Sequence, residues 1–182
     1  MLQRAAYLVG ALVVGLVAYA VVVMVGMRTK SPRALRVVRR VNRAVVNPMQ
    51  MRSAGQVGAY ASIIRHRGRV SGRLRETPVG AEATDDGFVI ALPYGTTTDW
   101  LKNLLASGTA TIVNEGGTYE VDQPEVRPLA SELSWFPSAD QRNLHRFAVQ
   151  QCIRVRRVDR SATATPDQRD GVSVGREADS PS

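Results

Sequence analysis

The sequence predicts a mainly β domain with short helices, a small β-barrel, preceded by one transmembrane helix. Three observations carry this. Ala5 to Met27 holds no charged residue. From about Gly58 onward, short apolar runs alternate with Gly, Asp and Asn turn signals, the pattern of closely spaced strands. Only two short stretches of that part have helical spacing.

The apolar stretch comes first. At about 1.5 Å per residue it is roughly 34 Å long, enough to cross a hydrocarbon core of about 30 Å. A lone spanning segment must be helical, because lipid offers its backbone no partners. A cleaved signal peptide has a shorter apolar core and a small-x-small cleavage site. Here the run ends Val25-Gly26-Met27-Arg28, so an anchor over residues 1–30 is the preferred reading. Arg4 is the only charged side chain before the run, whereas Arg28, Lys30, Arg33, Arg36, Arg39, Arg40 and Arg43 follow it without an acid. The positive-inside rule then places the rest of the chain in the cytoplasm, at the cell membrane. A single cysteine, Cys152, excludes an internal disulfide and fits a reducing compartment.

Residues 31–52 read as a basic amphipathic helix. Leu35, Val38, Val41 and Val45 recur at helical spacing, arginines fill the wider face, and Pro48 is expected to end it. Beside an anchor, such a helix is expected to lie on anionic lipid. A domain helix with a solvated basic face is the alternative.

Residues 53–160 form the barrel domain. Strands are expected over Ala59 to Arg65, Glu76 to Thr84, Phe88 to Pro93, Thr109 to Asn114, Thr118 to Val121 and Ile153 to Val158. Asp85-Asp86-Gly87 and Glu115-Gly116-Gly117 are hairpin turns. Asp99 to Ser107 is a helix with Thr98 as N-cap and Gly108 as its stop. Ser138 and Gln141 form a capping-box signal for a second helix running to about Val149. Pro124 and Pro128 bracket an extended edge. Residues 161–182 are rich in Ser, Thr, Asp, Gly and Pro with little to bury, and are expected to be disordered.

The net charge of +8 is concentrated. Arg28 to Pro78 holds thirteen Lys/Arg and one acid, Glu76, a field suited to an anionic partner. Aromatic residues are scarce there, so nucleic-acid bases have no stacking platform. His66, His145 and Cys152 are too far apart for a metal or nucleophile motif, and no dinucleotide or Walker loop is present. His66, between two arginines, is read as a surface or cofactor-adjacent residue.

Two clusters stand out. In Gly68-Arg69-Val70-Ser71-Gly72-Arg73-Leu74-Arg75-Glu76-Thr77-Pro78, glycines let the backbone turn while hydroxyls, amides and guanidinium groups offer donors to an anion. An exposed basic hairpin that binds nothing is the competing reading. The second is Pro93-Tyr94-Gly95 followed by Asp99-Trp100-Leu101-Lys102-Asn103-Leu104, where Trp100 and Asn103 share a helix face. Trp100 would pack a planar ring or serve simply as core.

Together, in this order, the clusters resemble the deazaflavin-dependent nitroreductase and quinone reductase family, the actinobacterial split β-barrel oxidoreductases that use reduced coenzyme F-420. The resemblance covers roughly residues 66–126. It implies a split β-barrel like that of FMN-binding proteins, and hydride transfer to a quinone or nitro acceptor. It implies that Arg69, Ser71, Gly72, Arg75, Thr77 and Pro78 hold the cofactor's phosphate and acidic tail, that Tyr94 and Gly95 lie along the deazaflavin, and that Trp100 and Asn103 complete the site. Some relatives carry Lys where this chain has Val70 and Tyr94. Trp135, Phe136, His145 and Phe147 are candidates for the acceptor end, and no catalytic acid is assignable. With an anchor, membrane lipid is a partner and a lipophilic acceptor such as menaquinone is expected. A flavin mononucleotide (FMN) or haem protein of the same barrel, or a basic membrane module without activity, are the alternatives.

Overall fold

The computed structural model of the protein describes residues 2–29 and 31–158. The tail expected to be disordered lies outside them.

Helix α1 (Leu2–Thr29) is followed after a short break by α2 (Pro32–Val41). Val9–Gly26 within α1 is long and apolar enough to cross a membrane. The two helices pack against one another near their junction. Gly26 makes this possible: a Cβ there would stand 2.9 Å from Ala34 Cβ. Leu35 and Val38 are the buried residues of α2, while Val37 and most of its arginines remain exposed.

Pro48 does not end this helix. After Val41 the chain widens into a π-helical segment, Asn42–Val46, and continues as α3 (Asn47–Gln50). The Asn47 N–H donates to the Asn42 carbonyl, an i→i−5 bond. In this widened turn Pro48 sits at the start of a fresh helical turn, where its missing N–H costs little.

The domain is a seven-stranded antiparallel sheet: β1 (Ser62–Arg67), β2 (Leu74–Val79), β3 (Ala81–Ala83), β4 (Gly87–Ala91), β5 (Thr109–Asn114), β6 (Gly117–Pro128) and β7 (Gln151–Arg157). The strand order is β2-β1-β5-β6-β7-β4-β3. β2 and β3 lie at opposite edges, yet Gly80 alone separates them in sequence. The sheet must therefore curl until its edges meet, which gives a half-barrel. The predicted strand over Glu76 to Thr84 is thus split at its middle.

Helix α4 (Asp99–Ser107) has the predicted bounds, stopped by Gly108 at φ +73°. Helix α5 (Ser138–Arg146) is shorter than expected and lacks the capping box. Pro137 occupies the N-cap position, Ser138 is already helical, and the Gln141 side chain donates to the Phe136 carbonyl. Pro124 is not on an edge either. β6 is an inner strand, and Pro124 falls where its register slips between Asp122 and Glu125, with Gln123 at φ +49°. A bulge is the place where an inner strand tolerates a missing donor.

β4 buries both of its faces. On β4, Phe88 and Ile90 face the barrel interior with Ile64, Ile112, Val121, Ile153 and Val155, joined by Leu101 and Leu104 of α4. Val89 and Cys152 face the other way, under Leu129, Phe136 and Val149. Trp135 and Phe147 pack against this second core. At its rim Glu132, 2% exposed, is held by Arg127 at 2.8 Å and Arg154 at 2.6 Å. Arg154 also reaches Asp86.

Candidate anion and cofactor site

The barrel mouth opens into a cavity of about 640 Å³ between the β1–β2 loop, the start of α4 and the α2–α3 helix. This volume falls within the range of small-molecule sites. Its geometry begins with β1. The side chains of Ile64 and His66 fall on one face by strand alternation. Ile64 is in the apolar core, and His66, 3% exposed, stands one step further toward the mouth. His66 is therefore not a surface residue; it lines the cavity.

The loop after β1 folds back on itself. Gly72 N–H donates to the Gly68 carbonyl at 2.7 Å, and Gly68 N–H to the Arg73 carbonyl at 2.9 Å. Gly72 takes φ +62°, which suits glycine. A Cβ at Gly68 would stand 2.7 Å from Ser71 Oγ and 3.2 Å from Arg75 Nε. This keeps Ser71 and Arg75 close to the loop's base.

Asn103, only 4% exposed, joins the two sequence clusters. Its Oδ1 accepts from the Arg69 backbone N–H at 3.1 Å and from Arg69 Nη1 at 2.9 Å. Its Nδ2 meets His66 Nδ1 at 3.2 Å. His66 Nε2 in turn lies 3.3 Å from Thr77 Oγ1. With Asn103 donating to Nδ1, the neutral tautomer carries its proton on Nε2 and donates to Thr77. Burial lowers the His66 pKa below its ordinary 6.5, and the Arg75 charge acts the same way, against a hydrogen bond at the Arg67 backbone and the Asp99 charge. Asp99, one turn before Asn103, reaches the Arg69 guanidinium at 3.3 Å.

Eight of the ten residues singled out from sequence line the cavity: Arg69, Ser71, Arg75, Thr77, Pro78, Tyr94, Trp100 and Asn103. Gly72 and Gly95 do not; both have positive φ and shape the turns instead. Trp100 lines the cavity and packs on the barrel core. None of Trp135, Phe136, His145 and Phe147 lines the cavity. The three aromatic residues belong to the second core, on the far face of β4 and β7.

Sequence reasoning missed one wall. The basic helix turns an edge inward: Arg39, Asn42, Arg43 and Asn47 line the cavity. The π-helical turn pairs Asn42 with Asn47, five residues apart, on this wall. Arg39 Nη1 donates to the Thr97 carbonyl, and Arg43 meets Asp99 at 3.3 Å. Asn42 Nδ2 donates to the Tyr94 hydroxyl at 2.7 Å, and Asn42 Oδ1 accepts from the Tyr19 hydroxyl at 2.9 Å.

The wall is cationic. Arg39, Arg43, Arg69 and Arg75 face two carboxylates, Glu76 and Asp99. Thr98 adds a second mark of a binding site. It holds the predicted N-cap position, yet its hydroxyl makes no cap bond. Among the described residues it is the buried side-chain polar atom left without a partner, and it lines this cavity. A buried hydroxyl without a partner costs on the order of 1–3 kcal/mol, which a ligand acceptor would recover. The arginines, this hydroxyl and the indole of Trp100 fit a planar ligand with an anionic extension.

No family model and no curated protein matches the chain. Among solved structures, an F-420-H2-dependent reductase (FDR-A) is 14% identical, covers 52% of this chain and 92% of its own, and superposes with a TM-score of 0.38. A chain described as a domain-swapped dimer is 11% identical, covers 69% of this chain and 99% of its own, with a TM-score of 0.41. Likeness at this level assigns no function.

Proposed function

We propose that the protein is a membrane-anchored oxidoreductase that uses reduced coenzyme F-420 to reduce a lipophilic quinone or a nitro compound. The observation that carries the reading is the Asn103 junction. Arg69 and Asn103, one in each of the two clusters that resemble the deazaflavin-dependent reductases, lie 34 residues apart, and Asn103 fastens one cluster to the other around a single cationic cavity. The bound deazaflavin would supply the hydride. The protein's own part is placement. Arg69 and Arg75 would hold the acidic extension by charge-assisted bonds, and Trp100 would flank the ring. The exposed apolar part of α1 before Tyr19 supports a membrane anchor, with the stretch from Tyr19 to Gly26 packed on the domain side, and the arginines that follow α1 support a cytoplasmic domain. A bilayer-dissolved acceptor would then be concentrated near the cavity.

The test uses the full chain in detergent or nanodiscs with reduced coenzyme F-420 and a menaquinone analogue. Oxidation of the cofactor that needs both protein and acceptor is expected. A protein that binds the cofactor but oxidises it with neither quinones nor nitro compounds is not this enzyme.

A further inference from the structure

The proposed reduction needs a proton as well as a hydride, and the cavity has one donor whose geometry suits it. Tyr94 lines the cavity on the loop after β4. Its hydroxyl oxygen accepts from Asn42 Nδ2 at 2.7 Å, while Asn42 Oδ1 accepts from the Tyr19 hydroxyl at 2.9 Å. The order of this relay follows from its ends. Tyr19 lies on the apolar helix α1, where its O–H has Asn42 as its acceptor. Tyr94 stands at the cavity, so its O–H is the one that can face a ligand. With Tyr19 donating to the amide oxygen, the amide nitrogen must face Tyr94. The Tyr94 oxygen is thereby an acceptor toward Asn42 and keeps its own proton for the cavity.

Resting on the function proposed above, we infer that Tyr94 is the catalytic residue that protonates the reduced acceptor, with Asn42 and Tyr19 as positioning residues. A bound reduced deazaflavin would supply the acceptor with two electrons and one hydrogen as hydride, itself being oxidised, and the acceptor would be left as an oxyanion. The Tyr94 O–H bond breaks and an O–H bond forms on that oxyanion, giving the neutral dihydro product. The phenolate then regains a proton from cavity water. Asn42 serves both states, since its N–H donates to the neutral phenol and more strongly to the phenolate. A phenolate and a hydroquinone oxyanion are bases of similar strength, so the proton transfer is close to balanced. Burial pushes the Tyr94 pKa above its ordinary 10.0, so the group is protonated and ready at neutral pH.

The experiment compares the full-length protein with Tyr94→Phe and Asn42→Leu. Tyr94→Phe keeps the ring, and is expected to retain cofactor affinity while losing about 100-fold or more in kcat with a quinone acceptor. A second readout needs no cofactor: the phenolate absorbance of Tyr94, taken as wild type minus Tyr94→Phe, is titrated with base. Asn42→Leu should move that titration to higher pH and lower kcat more than it raises KM. A Tyr94→Phe protein with kcat within about threefold of wild type, or one that no longer binds cofactor, overturns the assignment. An unshifted phenolate titration in Asn42→Leu overturns the role of Asn42. If the wild type oxidises no reduced cofactor, the function itself fails and this inference with it, a result distinct from an active enzyme indifferent to Tyr94.

Discussion

Replacing Asn103 with Ala removes the link between the two halves of the cavity, and its cost follows from three bonds. The bond from Arg69 Nη1 at 2.9 Å is charge-assisted but half-exposed, and is worth about 1.5 kcal/mol. The bonds with the Arg69 N–H and with His66 are neutral and worth about 1 kcal/mol each. Asn103→Ala should therefore lose about 3.5 kcal/mol of stability, or about 7–14 °C in Tm for a chain of this size. Asp99 alone would then restrain Arg69, and exposed pairs of that kind are weak. Affinity for the deazaflavin coenzyme should fall about tenfold or more, read by fluorescence titration. Asn103→Asp separates the two effects. One carboxylate oxygen still accepts both Arg69 donors, but the other faces His66 Nδ1, which must then carry a proton. That variant should regain stability as pH falls and His66 protonates, while the added negative charge keeps anion affinity low. An Asn103→Ala protein with unchanged Tm and unchanged affinity would refute the argument.

Further predictions concern the rest of the domain. Glu132→Ala leaves Arg127 and Arg154 without their buried carboxylate and should cost about 3 kcal/mol, the low end for a broken buried pair because both arginines reach solvent, measured by urea unfolding. His66 titrates below 6.5 when folded, so the unfolded chain takes up its proton first as pH falls. Stability should drop as pH falls below about 6.5 and level off once the folded His66 also protonates, and His66→Gln should flatten this window. The lowered carboxyl groups of Asp86 and Glu125 act only at more acid pH, and the raised Glu82 acts in the opposite sense. Cys152 is fully buried, and burial pushes its thiol up to about 11. It should resist a thiol reagent at neutral pH until the domain is unfolded.

The relation between sequence and structure is uneven for physical reasons. Helix α4 was legible to the residue because Thr98, its apolar spacing and Gly108 are all local signals. The hairpin turns were legible for the same reason. The basic helix was harder. An amphipathic stripe says that Leu35 and Val38 are covered, but the same stripe serves lipid or a neighbouring helix. The structure covers it with α1, and the π-helical turn, which no composition signal marks, brings Asn42 and Asn47 to the cavity. The second core was visible in principle. Phe88-Val89-Ile90-Ala91-Leu92 is continuously apolar, the pattern of a strand buried on both faces, so something had to cover Val89. Trp135, Phe136 and Phe147 belong to that cover and leave the cavity free of them. His66 followed from the alternation after Ile64, had the interior face been assigned first.

A paired titration tests the central claim most directly. The full chain in nanodiscs is titrated with coenzyme F-420 and, separately, with FMN, at low and at physiological salt. The account predicts saturable binding of the deazaflavin, tighter than FMN because its longer anionic extension reaches more of the four arginines, and weakening as salt screens them. Tighter binding of FMN, or no binding of the deazaflavin at low salt, would contradict it.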